Sequence, residues 1–209
     1  MNAKNSALSA ALLAATVALA GCGASQAAPA ATSGASPMDH GGHSMPMGTP
    51  GSSSSQGAFN AADAMFAQMM IPHHEQAVEM SGIVLAKPGL DARVAQLAER
   101  IKAAQAPEIA TQRGWLAAWN QPTAMPSDAG HAMEGMVSDE DLAALKAADA
   151  GEGAKLFLTQ MIAHHEGAVT MAKSELSSGA HPEAVAMAQS IVDSQTTEID
   201  QMKSLLGQL

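Results

Sequence analysis

A duplicated motif constrains this chain more than any other feature of its sequence. Met70-Ile71-Pro72-His73-His74-Glu75-Gln76-Ala77-Val78-Glu79-Met80 returns as Met161-Ile162-Ala163-His164-His165-Glu166-Gly167-Ala168-Val169-Thr170-Met171, and the 91-residue spacing extends back to Phe66 and Phe157. A second block, Ile101, Gln105, Glu108 and Ile109, matches Ile191, Gln195, Glu198 and Ile199 at a spacing of 90, so one residue was gained or lost between the blocks. Each half is a copy of one design, and any fold must accommodate both copies.

The periodicity of both copies is helical. At about 100° per residue, Phe66, Met70, His73, Ala77, Met80 and Val84 share one face with His74 at its edge, and Phe157, Met161, His164, Ala168 and Met171 repeat it. Asn60 and Asp63 have the spacing of an N-cap and its acidic partner, which predicts a first helix from Asn60 to Ala86. Lys87-Pro88-Gly89 ends it, and Asp91 to about Trp119 forms the second, with Val94, Leu97, Ile101, Ile109, Leu116 and Trp119 as its apolar stripe. Ser138-Asp139-Glu140-Asp141 caps a short helix to about Ala148. Two further long helices follow, Glu152 to Leu176 and His181 to Leu206, the last with Pro182 in its first turn. Pro72 and Pro107 fall inside helical patterns and predict kinks, because proline has no amide to donate.

Neither hairpin can bury its apolar stripe alone. The expected fold is therefore all-α: a four-helix bundle of two duplicated hairpins, pseudo-symmetric about a central axis. Repeat one covers residues 60–119, a connector 120–151 and repeat two 152–207, within a domain of 59–209.

The start of the chain is of another kind. Lys4, the apolar run from Ala7 to Ala20 and the small residues before Cys22 describe an export signal over residues 1–21, too short to be a spanning helix. Leu19-Ala20-Gly21-Cys22 resembles the lipobox of bacterial lipoproteins, which implies cleavage before Cys22 and a lipid on its sulfur. That lipid would anchor the protein in the cell envelope, on the outer side of the cytoplasmic membrane or in the periplasm. A plain secretory signal with an incidental cysteine is the alternative. As Cys22 is the chain's single cysteine, disulfides and thiolate metal sites are excluded. Residues 22–58, rich in Ala, Ser, Gly and Pro, read as a flexible tether. Met38, His40, His43, Met45 and Met47 within it form either a metal-capturing arm or a compositional accident.

The formal net charge is −10, and removing residues 1–21 takes away Lys4 alone, leaving −11. Such a chain is a poor partner for nucleic acid.

Imidazole and thioether are the side chains that bind soft or borderline metals, copper above all. Met70 lies three residues before His73 and four before His74, and Met161 stands in the same relation to His164 and His165; at those spacings an N,S chelate fits between helical turns. Met80 and Met171, seven residues after the first histidine of each pair, would serve a separate position. Adjacent histidines diverge by about 100°, so one points inward while its neighbour reaches across to the sister hairpin. Glu75 and Glu166 lie off the stripe, as outer-face residues or as partners that fix an imidazole tautomer. His131, Met133 and Met136 in the connector form a further set. The competing reading is that methionine fills the core and histidine is hydrogen-bonded within it. Against it, four buried imidazoles without partners would be costly. His181 beside Pro182 reads as a helix-start residue.

The doubled Met-Ile-x-His-His-Glu-x-Ala-Val-x-Met motif, with Glu108-Ile109 and Glu198-Ile199 on the following helices, resembles the bacterial family catalogued as domain of unknown function 305, over about residues 60 to 207. The resemblance implies a ferritin-like helical fold in an exported, often lipid-anchored or periplasmic protein, with copper binding and resistance among some relatives. It does not imply ferritin chemistry: neither histidine pair carries the Glu-x-x-His of di-iron sites, and the chain has no tyrosine.

The leading expectation is a lipid-anchored copper-binding protein that is not an enzyme. It would hold copper, preferentially Cu(I), for buffering, resistance or passage to a copper-transfer protein. A second is a helical interaction module of the envelope without metal. A third is a ferritin-like metalloenzyme, for which the sequence places no general base or nucleophile.

Overall fold

In the computed structural model, which describes residues 58–124 and 133–209, Asn60 opens the first helix as its spacing predicts. Its Oδ1 accepts the amides of Ala62 and Asp63 at 2.7 and 3.1 Å, while Asp63 Oδ2 accepts the Asn60 amide at 2.6 Å, a reciprocal capping box. Helix α1 (Ala61–Leu85) runs on through Pro72. A turn with Gly89 at φ +81, where a side chain would be strained, leads to α2 (Ala92–Ala118), which continues through Pro107. Ser138 caps the short α3 (Asp139–Ala147), Asp149 caps α4 (Ala150–Ser178) and His181 caps α5 (Pro182–Leu206). Cys22, His40, His43, Met45, Met47 and His131 lie outside the described residues. Among the described residues no helix is long and apolar enough to cross a membrane.

The duplicated hairpins are α1 with α2 and α4 with α5. They join along α1 and α4, while α2 and α5 barely touch, and α3 lies across α1 and α4. Those two central helices are antiparallel: Asn60 Nδ2 donates to the Ser178 carbonyl at 2.8 Å at one end, and Lys87 Nζ to the Ala148 carbonyl at 2.5 Å at the other.

Antiparallel packing of two copies sets the start of one apolar stripe against the end of the other. One core cluster accordingly holds Met80, Val84, Leu97 and Ile101 from the first repeat with Phe157 and Met161 from the second, capped by Leu142 and Leu145 of α3. The other holds Phe66, Met70 and Leu116 with Ala168, Ala172 and Ile191, and Met171 packs against it. Each large side chain so buried contributes about 1.5–3 kcal/mol, so neither hairpin is expected to be stable alone.

Asp63 does more than cap. Its fully buried carboxylate also accepts the amides of Ala180 and His181 at 3.0 and 2.8 Å, tying the start of α1 to the α4–α5 turn. Burial pushes its pKa up, but these hydrogen bonds outweigh that and hold it below the usual value. Neighbouring Glu175 has the opposite balance: burial, with Asp63 beside it, pushes its carboxyl up to about 8.

Candidate metal centre

The midpoints of α1 and α4 cross where each carries its histidine pair, and all four imidazoles are fully buried. His74 is no edge residue, because α1 is packed by α2 on one flank and α4 on another. The first histidine of each pair faces the sister hairpin: the rings of His73 and His164 lie 3.7 Å apart between centroids, tilted by 37°. The second turns back to the other helix of its own hairpin. His74 Nε2 meets Glu108 Oε2 at 2.8 Å and His165 Nε2 meets Glu198 Oε2 at 2.8 Å. The expectation that a neighbour of an inward histidine reaches across to the sister hairpin is thus corrected: the inward ring itself makes the crossing, and its neighbour is held by a carboxylate behind it.

Because a carboxylate only accepts, the Nε2 atoms of His74 and His165 donate, and their Nδ1 atoms face no partner. His73 Nε2 donates to the Glu134 carbonyl at 3.2 Å, leaving its Nδ1 bare as well. His164 has no partner at either nitrogen, and none of the four Nδ1 atoms has one. Burial, reinforced by the surrounding imidazoles, pushes His73 down to about 3 and His164 down to about 2, so both are neutral and keep their lone pairs at ordinary pH.

A backbone strap from the connector closes one side. Gly135, at φ +83, lies so near α4 that a Cβ there would sit 2.6 Å from the Ala163 carbonyl oxygen, and a Cβ on Gly167 would sit 2.0 Å from the Glu134 carbonyl oxygen. Gln76 fastens the strap by pairing with both the amide and the carbonyl of Val137 at 2.8 Å. The strap supplies a carbonyl to His73 alone, which breaks the twofold likeness of the two halves.

The donors suit a soft or borderline ion at low coordination number. Bare imidazole nitrogens stand in a dry interior, with Met70 and Met161 one turn away on the same helices and the carboxylates of Glu108 and Glu198 behind the outer rings. The arrangement is not a closed cage. Among the described residues no three His, Cys, Asp or Glu side chains are set to hold one ion. The four imidazoles come together at the crossing, and Met70 and Met161 stand one turn before them on the same helices.

The thioethers divide by end. Met70, Met80 and Met161 are fully buried and Met171 is partly so. Met80 and Met161 share one core cluster, whereas Met171 packs against the cluster of Met70. Met133 and Met136 are partly buried in the strap. Glu75 pairs with Arg113, and Glu166 with Lys203 at 3.1 Å. Both are about half exposed, so they are outer-face residues and do not orient an imidazole. Glu108 and Glu198 do that, and the sequence reading assigned them no such part. The duplication held the signal: a glutamate recurs at this place in both copies although most neighbouring surface residues do not.

Glu108→Ala should leave the His74 N–H buried without an acceptor and cost about 1–3 kcal/mol in urea unfolding, while Glu108→Gln retains most of it. Glu198→Ala should behave alike, and an unchanged midpoint in both alanine variants would deny the carboxylates any hold on the rings.

The sequence profile of the family described as Domain of unknown function (DUF305) matches residues 63–206. Among solved structures, a DUF305 protein of Streptomyces coelicolor described as secreted is 36% identical, over 70% of this chain and 93% of that one, with a TM-score of 0.66. A DUF305 fragment from Deinococcus radiodurans is 33% identical over 72% and 98% of the respective chains, with a TM-score of 0.65. CopM in its Cu(I)-bound form is 31% identical over 70% and 96%, with a TM-score of 0.60, and CopM is also known in Cu(II)-bound and silver-bound forms. No curated protein matches significantly.

Proposed function

The chain belongs to the DUF305 family, and from that premise we propose that it is an exported copper-binding protein, anchored in the envelope through a lipid on Cys22, that buffers the metal or passes it to a partner protein. The observation that carries the proposal is the set of four buried imidazoles whose Nδ1 atoms all lack partners. An apolar interior does not keep such atoms bare without cost. The copper-bound and silver-bound forms of CopM support the choice of ion. The Nδ1 atoms of His73, His74, His164 and His165 would supply nitrogen, and Met70 and Met161 sulfur, once their side chains turn toward a common ion, while Met80 and Met171 would serve separate positions toward the two ends. Bound copper would supply a coordinate bond to nitrogens that otherwise have none. The protein's own part is to keep His73 and His164 neutral, exclude water and hold the outer rings by Glu108 and Glu198. The role is binding rather than catalysis.

A metal-free interaction module is the second reading, favoured by the protein acceptors that His73, His74 and His165 already have. Cu(I) competition titration separates the two. Changing all four histidines to Ala should remove the tight site, and X-ray absorption of the copper-loaded parent should show nitrogen and sulfur neighbours. Unchanged affinity in a variant that remains helical, or a spectrum without imidazole scattering, would sink the histidine centre.

A further inference from the structure

Beyond the histidine centre, a groove of about 520 Å³ opens between the first half of α1 and the last half of α4. Met65, Met69 and Met171 line it, and no imidazole does. Met65 and Met69 are one turn apart on the same helix face, and Met171 comes from the facing helix. The methionines of the bundle core are covered. Met65 is nevertheless 44% exposed, and Met69 and Met171 are only partly buried, while Met70, Met80, Met161 and Met202 are fully buried.

The duplication shows what is unusual here. The equivalent of Met65 in the other copy is Leu156, that of Met69 is Gln160, and that of Met171 is Met80. On that side the groove is covered by α3: Gln160 Nε2 donates to the Asp141 carbonyl at 3.0 Å, Leu156 packs against the cluster containing Leu142 and Leu145, and Met80 is sealed beneath. On the open side no helix among the described residues takes the place of α3, and the two positions that hold α3 in one copy carry thioethers in the other.

A second observation points to a ligand. Glu175 also lines the groove; it is 2% exposed, its oxygens are out of hydrogen-bond geometry with every donor among the described residues, and its carboxyl stands beside that of Asp63. Gly179 allows it that position, since a Cβ there would stand 2.2 Å from Glu175 Oε1. A buried carboxyl set against a second carboxyl, beside three half-open thioethers, is a costly arrangement for a surface with nothing to bind.

We propose that this groove is a second, imidazole-free site for a soft monovalent ion, Cu(I) or Ag(I), held by the thioethers of Met65, Met69 and Met171 over the Glu175 carboxyl. Neutral, polarizable sulfur favours monovalent copper and silver over Zn(II) or Cu(II), whereas the histidine centre accepts either oxidation state of copper. The proposal extends the copper reading to a separate place, and its test keeps the two apart.

Ag(I), which does not change oxidation state during the measurement, is titrated into the full chain labelled with 13C at the methionine methyls. The methyl signals of Met65, Met69 and Met171 should shift together within the first equivalents and stay unmoved by Zn(II). The isosteric Met65→Leu/Met69→Leu/Met171→Leu variant should fold normally and bind one fewer equivalent of Ag(I). If those three signals stay still while Met70 and Met161 shift, the groove site falls and the histidine centre stands. If the three shift while Met70 and Met161 do not, the groove stands and the thioethers of Met70 and Met161 have no part in the histidine centre. An unchanged equivalence count in the leucine variant would also overturn the proposal.

Discussion

Gly167→Ala should destabilise the domain by roughly 3 kcal/mol, the upper end of the usual overpacking range, and expose the histidine centre to water. The added methyl would stand 2.0 Å from the Glu134 carbonyl oxygen and 2.6 Å from its carbonyl carbon, and backbone cannot swing aside as a side-chain end can. The strap must therefore lift from α4. His73 Nε2 then loses its acceptor, and Gln76 loses its pairing with Val137. Urea unfolding reads the first effect, and hydrogen exchange at the Val137 amide reads the second. Gly82→Ala is the matched control, because nothing lies within 4 Å of its would-be Cβ, and alanine in a helix interior gains up to about 1 kcal/mol over glycine. Protection at Val137 and full stability in Gly167→Ala would show that the strap does not rest on α4.

The stability of the metal-free protein should peak near pH 6.5 and fall on both sides. His73 and His164 have folded pKa values of about 3 and about 2 against an ordinary 6.5, so below pH 6.5 the unfolded chain takes up two protons that the folded chain refuses. Glu175 acts in the opposite sense: its folded value of about 8 against 4.5 means that between those limits the unfolded chain releases a proton that the folded chain keeps. Between pH 4.5 and 6.5 the two histidines outweigh the one glutamate, and stability rises with pH by about 2 kcal/mol per unit at the acid end, shrinking to nothing near pH 6.5. From pH 6.5 to 8 only Glu175 contributes, and stability falls. Glu175→Gln keeps the shape of the protonated acid and should remove that alkaline decline while leaving the acid limb intact. Urea midpoints at pH 4.5, 6.5 and 8 decide the matter, and a flat profile across them would mean that the imidazoles are hydrated rather than dry.

Both effects follow from partners far apart along the chain, and this marks how far the sequence could be read. The caps were legible residue by residue: Asn60 with Asp63, Ser138, and His181 beside Pro182 all stand where their local chemistry put them. So were the five helices, the two hairpins and the stripe carrying His73 and His164. These depend on the angle between side chains along one helix, which sequence spacing fixes. The assignment of Glu75 and Glu166 fell to their outer-face alternative for the same reason.

The duplication, the helical hairpins and the histidine and methionine composition of the buried stripe were set by the sequence itself, through periodicity and capping that operate within a few residues. Which faces meet was settled only by the packed molecule. The antiparallel crossing of α1 and α4 sets His73 against His164, the second helix of each hairpin turns Glu108 and Glu198 onto the outer rings, and the strap brings the Glu134 carbonyl to one half alone. A helix repeats every few residues and carries no record of its neighbour; the choice of neighbour belongs to the burial of both stripes at once.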